Sequence, residues 1–167
     1  MSTRFVTRRA ALSAVVGLVF TPGAILAQSP VRFRTIQVNV EPLRATSGDP
    51  TAAWVGEALP GALAQAFGAY FAPSDRNGAA LIARIDFLFL GPSSGGTGAA
   101  GSAEDTIDGL LIVRGPRGAV AAETPLRAIS SYFPTPVDQP LRVQSNHDRI
   151  VALAQSFARW APGQLGI

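Results

Sequence analysis

The residues from Gly96 to Gly101 (Gly-Thr-Gly-Ala-Ala-Gly) spell the dinucleotide fingerprint G-x-G-x-x-G, and an acid, Glu123, follows further along. That motif works only when its glycines turn tightly out of a strand and open a helix whose N-terminus holds a pyrophosphate. Here the preceding strand-like run ends at Leu90, several residues too early, and Thr106 to Arg114 reads as another strand rather than a helix. The stretch also lacks the Gly-Lys-Ser/Thr of a phosphate-binding loop. It therefore reads as a loop.

The other candidates fail on similar grounds. His147 is the one histidine of the chain, and its neighbour Asp148 would point elsewhere on a helix, so no base–orienter pair is in view. With one His and no Cys, zinc would lack most of its usual ligands. Glu104, Asp105 and Asp108 bunch together, but without calcium-loop spacing, and read as a solvated acidic edge. Ser93, Ser94 and Ser102 sit outside any G-x-S-x-G elbow. Trp54, Tyr70, Phe71, Phe157 and Trp160 could line a ligand groove between two helices, although at helical spacing they read first as core. No residue is assigned a catalytic, cofactor-binding or metal-binding role, and no cofactor is expected.

The elements that would have to position any site follow from periodicity. Val31 to Leu43 alternates as a strand, with a phase slip at Thr35-Ile36 that calls for a bulge. Asp49-Pro50 has the N-cap and first-turn chemistry of a helix start. Trp54, Val55, Leu59, Leu63 and Phe67 then form an apolar stripe, which Pro60 should kink or break. Ala79 to Leu90 is a strand with Leu81, Ala83, Ile85, Phe87 and Phe89 on one face, and its apolar end reads as covered on both sides. Residues 91–103 are rich in Gly, Ser and Ala and read as a flexible loop. Strands follow over Thr106–Arg114 and from Ala119 to about Tyr132, the last demoted to an edge, or split, by Pro125.

Ser145 with Asp148 has capping-box spacing for a second helix. Its stripe is Ile150, Leu153, Ala154, Phe157 and Trp160, and Pro162-Gly163 should end it. The expectation is an α+β two-layer sandwich, β-α-β-β-β-α, with a mostly antiparallel four-stranded sheet and two helices on one face.

Residues 1–27 have the parts of an export signal. Arg4, Arg8 and Arg9 precede an apolar run from Ala10 to Phe20, and Ile25-Leu26-Ala27 offers small-residue cleavage before Gln28. Thr7-Arg8-Arg9-Ala10-Ala11-Leu12 also fits the twin-arginine variant. An uncleaved anchor over Ala10–Ala27 would be interrupted by Pro22-Gly23, and the apolar run is short of the roughly 20 residues that span a bilayer. All 14 basic residues are Arg. Setting aside the three in the signal leaves 11, against 11 acids that all lie after Ala27, so the exported part, residues 28–167, is formally neutral and has no basic footprint for nucleic acid. With no Cys, neither a disulfide scaffold nor lipid attachment at the signal is open to it.

The element order from Val31 to Trp160, carried by the strands Ile82–Leu90 and Gly109–Arg114, resembles small periplasmic α/β accessory domains of the bacterial envelope. Among these are the lipopolysaccharide-assembly lipoprotein, the auxiliary lipoprotein of transport ATPases and the amino-terminal domain of the Tol–Pal translocation protein. The export signal, the formally neutral exported part and the lack of a polar cluster of catalytic type, together with this resemblance, lead to the expectation of an exported, periplasmic or secreted, non-enzymatic accessory or binding protein. Its contact would be another envelope protein, met at the exposed strand edge near Pro125 or along Pro134–Pro140. Two alternatives compete: a carrier of a small apolar ligand between helices and sheet, and an enzyme whose active site is not local in sequence.

The export signal is testable directly. N-terminal sequencing of the exported protein should begin at Gln28, and a start at Met1 would contradict cleavage. On the twin-arginine route, changing Arg8 and Arg9 together to Lys should block export, whereas unimpaired export would favour the general route.

Overall fold

The computed structural model describes residues 31–92, 103–132 and 142–167. The expected export signal with its expected boundary at Gln28, the glycine motif at 96–101 and the Pro134–Pro140 stretch lie outside the described residues. Seven elements follow one another: β1 (Phe33–Asn39), α1 (Glu41–Ser47), α2 (Thr51–Ala66), β2 (Ala79–Leu90), β3 (Ala103–Arg114), β4 (Val120–Tyr132) and α3 (Arg142–Gln164). The strands form one sheet in the order β1-β2-β3-β4, with β1 parallel to β2 and the other two pairings antiparallel. The class is the expected α+β, with one helix more than expected.

That extra helix shortens the first strand. The run read as a strand to Leu43 stops at Asn39, whose Oδ1 accepts the Glu41 N–H at 3.0 Å. Pro42 lies at the start of α1, where its missing N–H costs no bond. α1 turns Leu43 fully into the core and ends at Gly48, whose φ of 68° glycine adopts without strain. The slip expected near Thr35 is present as a register shift between Phe33 and Thr35.

α2 departs from expectation at both proline sites. Its N-cap is Pro50 with no side-chain cap, because the Asp49 carboxylate instead accepts from Arg44 Nε at 3.3 Å. Pro60 neither breaks nor ends the helix. The proline is exposed, while Val55, Leu59 and Leu63 are held in the core to either side of it. Burying those side chains outweighs one lost backbone bond to the Gly56 carbonyl.

β2 keeps its expected bounds but not its expected faces. Leu81, Ala83 and Ile85 are buried, and a register shift between Ile85 and Phe87 then inverts the pleat. Leu88 takes the core position, while Phe87 and Phe89, 45% and 49% exposed, turn to the other side. A one-residue bulge moves every following side chain to the opposite face. That end of the strand is therefore bare on one side rather than covered on both.

β3 starts at Ala103, three residues earlier than the sequence indicated, and β4 runs unbroken through Pro125 as an outer strand. α3 also starts early, at Arg142, so Ser145 lies inside it rather than at its cap. It passes through Pro162 to Gln164, and Ile167 N–H closes the end on the Pro162 carbonyl at 3.1 Å. Pro162 near a helix end frees only the Ala158 carbonyl, which is why it does not stop the helix.

All three helices pack on one face of the sheet. Phe33, Phe67, Phe157, Leu63, Leu111 and Leu153 fill the space between the layers with no exposure, and the Phe33 and Phe67 rings meet edge to face at 5.4 Å. Gly109 on β3 lies beneath Phe157 of α3. A Cβ there would collide with the Arg84 carbonyl oxygen and lie 3.2 Å from the Phe157 ring.

Phe157→Ala should therefore cost about 3–5 kcal/mol and cripple the domain. Arg159→Ala, on the exposed side of the same helix, should change stability by about 0.5 kcal/mol or less. Urea titration of the two variants checks this, and a stable Phe157→Ala protein would make α3 peripheral.

Candidate functional site

Two features lie outside ordinary packing: one buried charge cluster and one bare sheet face. The cluster is built where β2 ends and β3 begins. Asp105 is in phase with Ile107, Gly109 and Leu111, so the pleat turns it toward the core, and it is only 1% exposed. A carboxylate there needs a compensating charge and filled lone pairs. Arg149 of α3 supplies both, with Nε 2.9 Å from Asp105 Oδ2 and Nη2 on Oδ1. The same Nη2 donates to the Gly91 carbonyl at 2.8 Å, and the Gly91 N–H donates to Asp105 Oδ1 at 3.1 Å. Gly91 admits this approach because a Cβ would strike the Glu104 carbonyl. Among the described residues, no buried polar side-chain atom lacks a partner. The cluster joins three elements and presents no open group to a ligand.

The sheet face away from the helices carries the second feature. Phe89, Thr106 and Ile129 are opposite one another on β2, β3 and β4. With Phe87, the two phenylalanines and Ile129 (51% exposed) make an apolar patch on this face. Two ion pairs border it, each within the face. Arg127 Nε and Nη2 hold the Asp108 carboxylate at 2.6 and 2.8 Å, and Arg84 holds Asp86 at 2.8 and 3.2 Å. Hydrogen bonding to those carboxylates, and then their charge, raises the pKa of both guanidiniums. Both arginines thus stay charged throughout the neutral range. The patch is flanked by two ion pairs whose charges cancel locally, with the exposed Glu104 two residues from Thr106 on the same strand.

β4 borders this face and has a strand neighbour on one side only. Proline is accommodated in a sheet where its nitrogen faces a free edge. At Pro125 the carbonyl facing that way accepts from Gln164 Nε2 of α3 at 3.1 Å. One helical turn before Gln164 stands Trp160, which is 63% exposed rather than part of the α3 core stripe.

The residues singled out by sequence do not converge. His147 packs edge to face on Trp54 at 5.4 Å, with Nδ1 3.5 Å from Asp148 Oδ1. Its side chain stays partly exposed. Glu104, Asp105 and Asp108 do not form one acidic edge: Asp105 is buried with Arg149, Asp108 pairs with Arg127 across the sheet, and only Glu104 stays exposed. Among the described residues no group of three or more His, Asp or Glu side chains could hold a metal ion. The aromatic residues offered as groove liners also separate, with Phe157 in the core, Trp160 in solvent and Trp54 against His147. A groove of about 330 Å³ does run between α2 and α3, lined by Ala62, Gln65, Ala66, Gln155, Ala158 and Arg159. It opens to solvent between the helices, not between helices and sheet.

The Asp105–Arg149 pair escaped sequence analysis although Asp105 shares the inward phase of β3 and Arg149 directly precedes the buried Ile150. An acid in phase with buried residues is the signal that would have located it.

No protein-family model and no curated protein matches the chain. Among solved structures it is similar to a minor lipoprotein from Acinetobacter baumannii, at 13% identity over 78% of this chain and 94% of that one, with a TM-score of 0.39. A Caulobacter crescentus chain described as a lipoprotein gives 14% identity, coverage of 80% and 85%, and a TM-score of 0.44. The rare lipoprotein B from Shewanella oneidensis gives 12% identity, coverage of 79% and 96%, and a TM-score of 0.39. These are likenesses of arrangement, and they transfer no residue's role. The present chain has no Cys that could carry a lipid, and among the described residues no helix is long and apolar enough to cross a membrane.

Asp105→Ala strands a guanidinium in the interior and leaves the Gly91 N–H with only its bond to the Glu104 carbonyl, so it should cost about 3–5 kcal/mol. Replacing Asp105 and Arg149 together should cost clearly less than the sum of the single changes. A double-mutant cycle read by urea unfolding measures this coupling, and additive losses would show that the two side chains do not act as a pair.

Proposed function

We propose that this chain is an exported, non-enzymatic accessory protein of the bacterial envelope, and that it works by holding another protein against the open side of its sheet and the free edge of β4. The observation that carries this is the exposure of Phe87, Phe89 and Ile129 together on one face, beside the Asp108–Arg127 and Arg84–Asp86 ion pairs. Large apolar side chains collected on a folded surface favour protein contact, whereas the same residues scattered singly would need no explanation. The polar side chains fit the same reading. Asp105 and Arg149 are engaged in holding the fold, and Asp108, Arg127, Arg84 and Asp86 hold one another. The three aromatic and aliphatic side chains sit on strands fixed by register, so the surface is rigid before a partner arrives, which reduces the ordering cost of binding.

A tagged form of the exported protein, applied to an envelope extract of its own host, should retain a partner. Phe89→Ser and Ile129→Ser should each lower that retention by about tenfold or more, as removal of an anchoring apolar side chain does. Because both residues are exposed, both variants should keep wild-type stability in urea. Undiminished retention by both would contradict the assignment of this face. A catalytic reading would instead require turnover that survives these two surface changes.

A further inference from the structure

We infer that the end of the sheet where β1 begins is a docking surface for an anionic lipid bilayer, a site separate from the open face. The chain after Ala27 is formally neutral, but the fold does not mix its charges evenly. Arg32 and Arg34 lie at the start of β1, and Arg76 lies in the turn that leads into β2. Arg114 ends β3, and Arg117 is in the hairpin turn that follows. Far apart in sequence, these residues meet through the register. Phe33 stands beside Ala79, Ala80 beside Arg114, and Arg114 beside Val120. The Ala79 N–H donates to the Arg32 carbonyl at 2.8 Å. A Cβ on Gly78, close after Arg76, would lie 3.1 Å from the Arg34 Cβ. With strands about 4.8 Å apart, the sheet end that carries the arginines is about 14 Å wide.

All of these arginines are exposed, and among the described residues none forms an ion pair with an acid. Arg114 Nη1 reaches the Gly118 carbonyl at 3.4 Å. Elsewhere Arg44, Arg84, Arg127 and Arg149 each hold a carboxylate. Two acids come near the basic end. Asp75 accepts the Asn77 N–H at 2.9 Å, and Glu123 stands opposite Ile112, further along the sheet. Like charges gathered without counter-charge build a positive potential over this end. Guanidinium forks match phosphate oxygens, two N–H groups to one phosphate. Apolar side chains decide between a membrane and a soluble polyanion. Val31, Phe71 and Val120 are 42%, 38% and 49% exposed and lie among the arginines, Phe71 bridging to Phe33 and Val120 facing Arg114. A bilayer surface takes both kinds of side chain, the charge at its headgroups and the apolar groups at its acyl boundary. A nucleic-acid backbone would use the charge alone.

Docked in this way, the strands stand on the membrane and the apolar patch of the open face is held clear of it. Between Ala80 and Phe89, β2 rises about 30 Å at about 3.3 Å per residue. That separation exceeds the Debye length, about 8 Å at physiological salt, several times over, so the charge of the bilayer is screened from the patch at Phe87, Phe89 and Ile129. Lipid contact and retention of a protein partner thus use different residues.

Cosedimentation with lipid vesicles tests this. In about 50 mM salt the exported protein should bind vesicles of phosphatidylcholine with about 30% phosphatidylglycerol, should not bind pure phosphatidylcholine, and should be released by about 500 mM salt. Each arginine at an anionic surface contributes about fivefold to binding, so Arg34→Ala with Arg114→Ala should weaken it about 25-fold. Arg44→Ala with Arg159→Ala removes the same charge elsewhere and should leave binding within about twofold. Val120→Ser, which leaves the charge unchanged, should weaken binding about threefold or more. All of these positions are exposed, so urea unfolding of the variants should match the unmodified protein. Absence of binding to the anionic vesicles, equal binding to both vesicle types, or equal losses from the two double variants would overturn the proposal. Tighter binding to a single-stranded oligonucleotide than to the vesicles, with no effect of Val120→Ser, would overturn it in favour of nucleic acid. Phe89→Ser should leave vesicle binding unchanged while it lowers retention of the envelope partner, and a parallel loss of both would show that the two surfaces are not separate.

Discussion

A carboxylate inside a protein must be paired, and the pairing of Asp105 decides how this fold is put together. Its two oxygens receive Arg149 from α3 and the Gly91 N–H from the end of β2, while Arg149 also returns a bond to the Gly91 carbonyl. One side chain of β3 thereby fixes the last residues of its neighbour strand and the first turns of the helix that covers it. An apolar side chain at position 105 could have filled the space, but it would not have dictated which groups must meet there. Buried pairs of this kind add little net stability, because desolvation takes back much of the Coulomb gain. Their effect lies in the cost of every arrangement that separates them.

The consequence is a one-sided molecule. With α3 anchored at its start by Arg149 and at its end by Gln164 on Pro125, the helix layer stays on a single face. The other face has only side chains to cover it. There the bulge after Ile85 matters, since it moves Phe87 and Phe89 out of the core phase and leaves Leu88 to fill it. A strand without the bulge would bury the phenylalanines. The bulge therefore converts two core-type residues into surface, beside ion pairs whose charges cancel locally. The interior fold and the exposed face are two results of the same local geometry at the β2–β3 pairing.

Much of this was legible from periodicity. The bounds of β2 and the buried stripe through Leu153 and Phe157 follow from patterns of two and of three to four residues, and the outer position of β4 follows from Pro125. What the pattern misplaced has common causes. Proline does not end these helices: Pro60 and Pro162 lie within elements whose buried neighbours keep them continuous through the lost bond. Caps were read from local chemistry, yet Asp49 is drawn to Arg44, and α3 begins before Ser145. The bulge after Ile85, unlike the slip near Thr35, has no signature in alternation, because an unbroken apolar run such as Phe87-Leu88-Phe89 reads equally well in either phase. For the same reason the open face was invisible, and with it the candidate contact surface. Asp105 was readable in principle, but three nearby acids looked like a single solvated group.

In this fold Asp105 holds the Gly91 backbone as firmly as the core is held. Native-state amide hydrogen exchange measures that directly. The Gly91 N–H should exchange only through global unfolding, with protection equal to that of Leu111 at the centre of β3, even though it lies at a strand end where fraying is the rule. Exchange of Gly91 at the rate of an exposed loop amide, with Leu111 still protected, would show that the strand end opens on its own, and that the buried ion pair does not govern the fold.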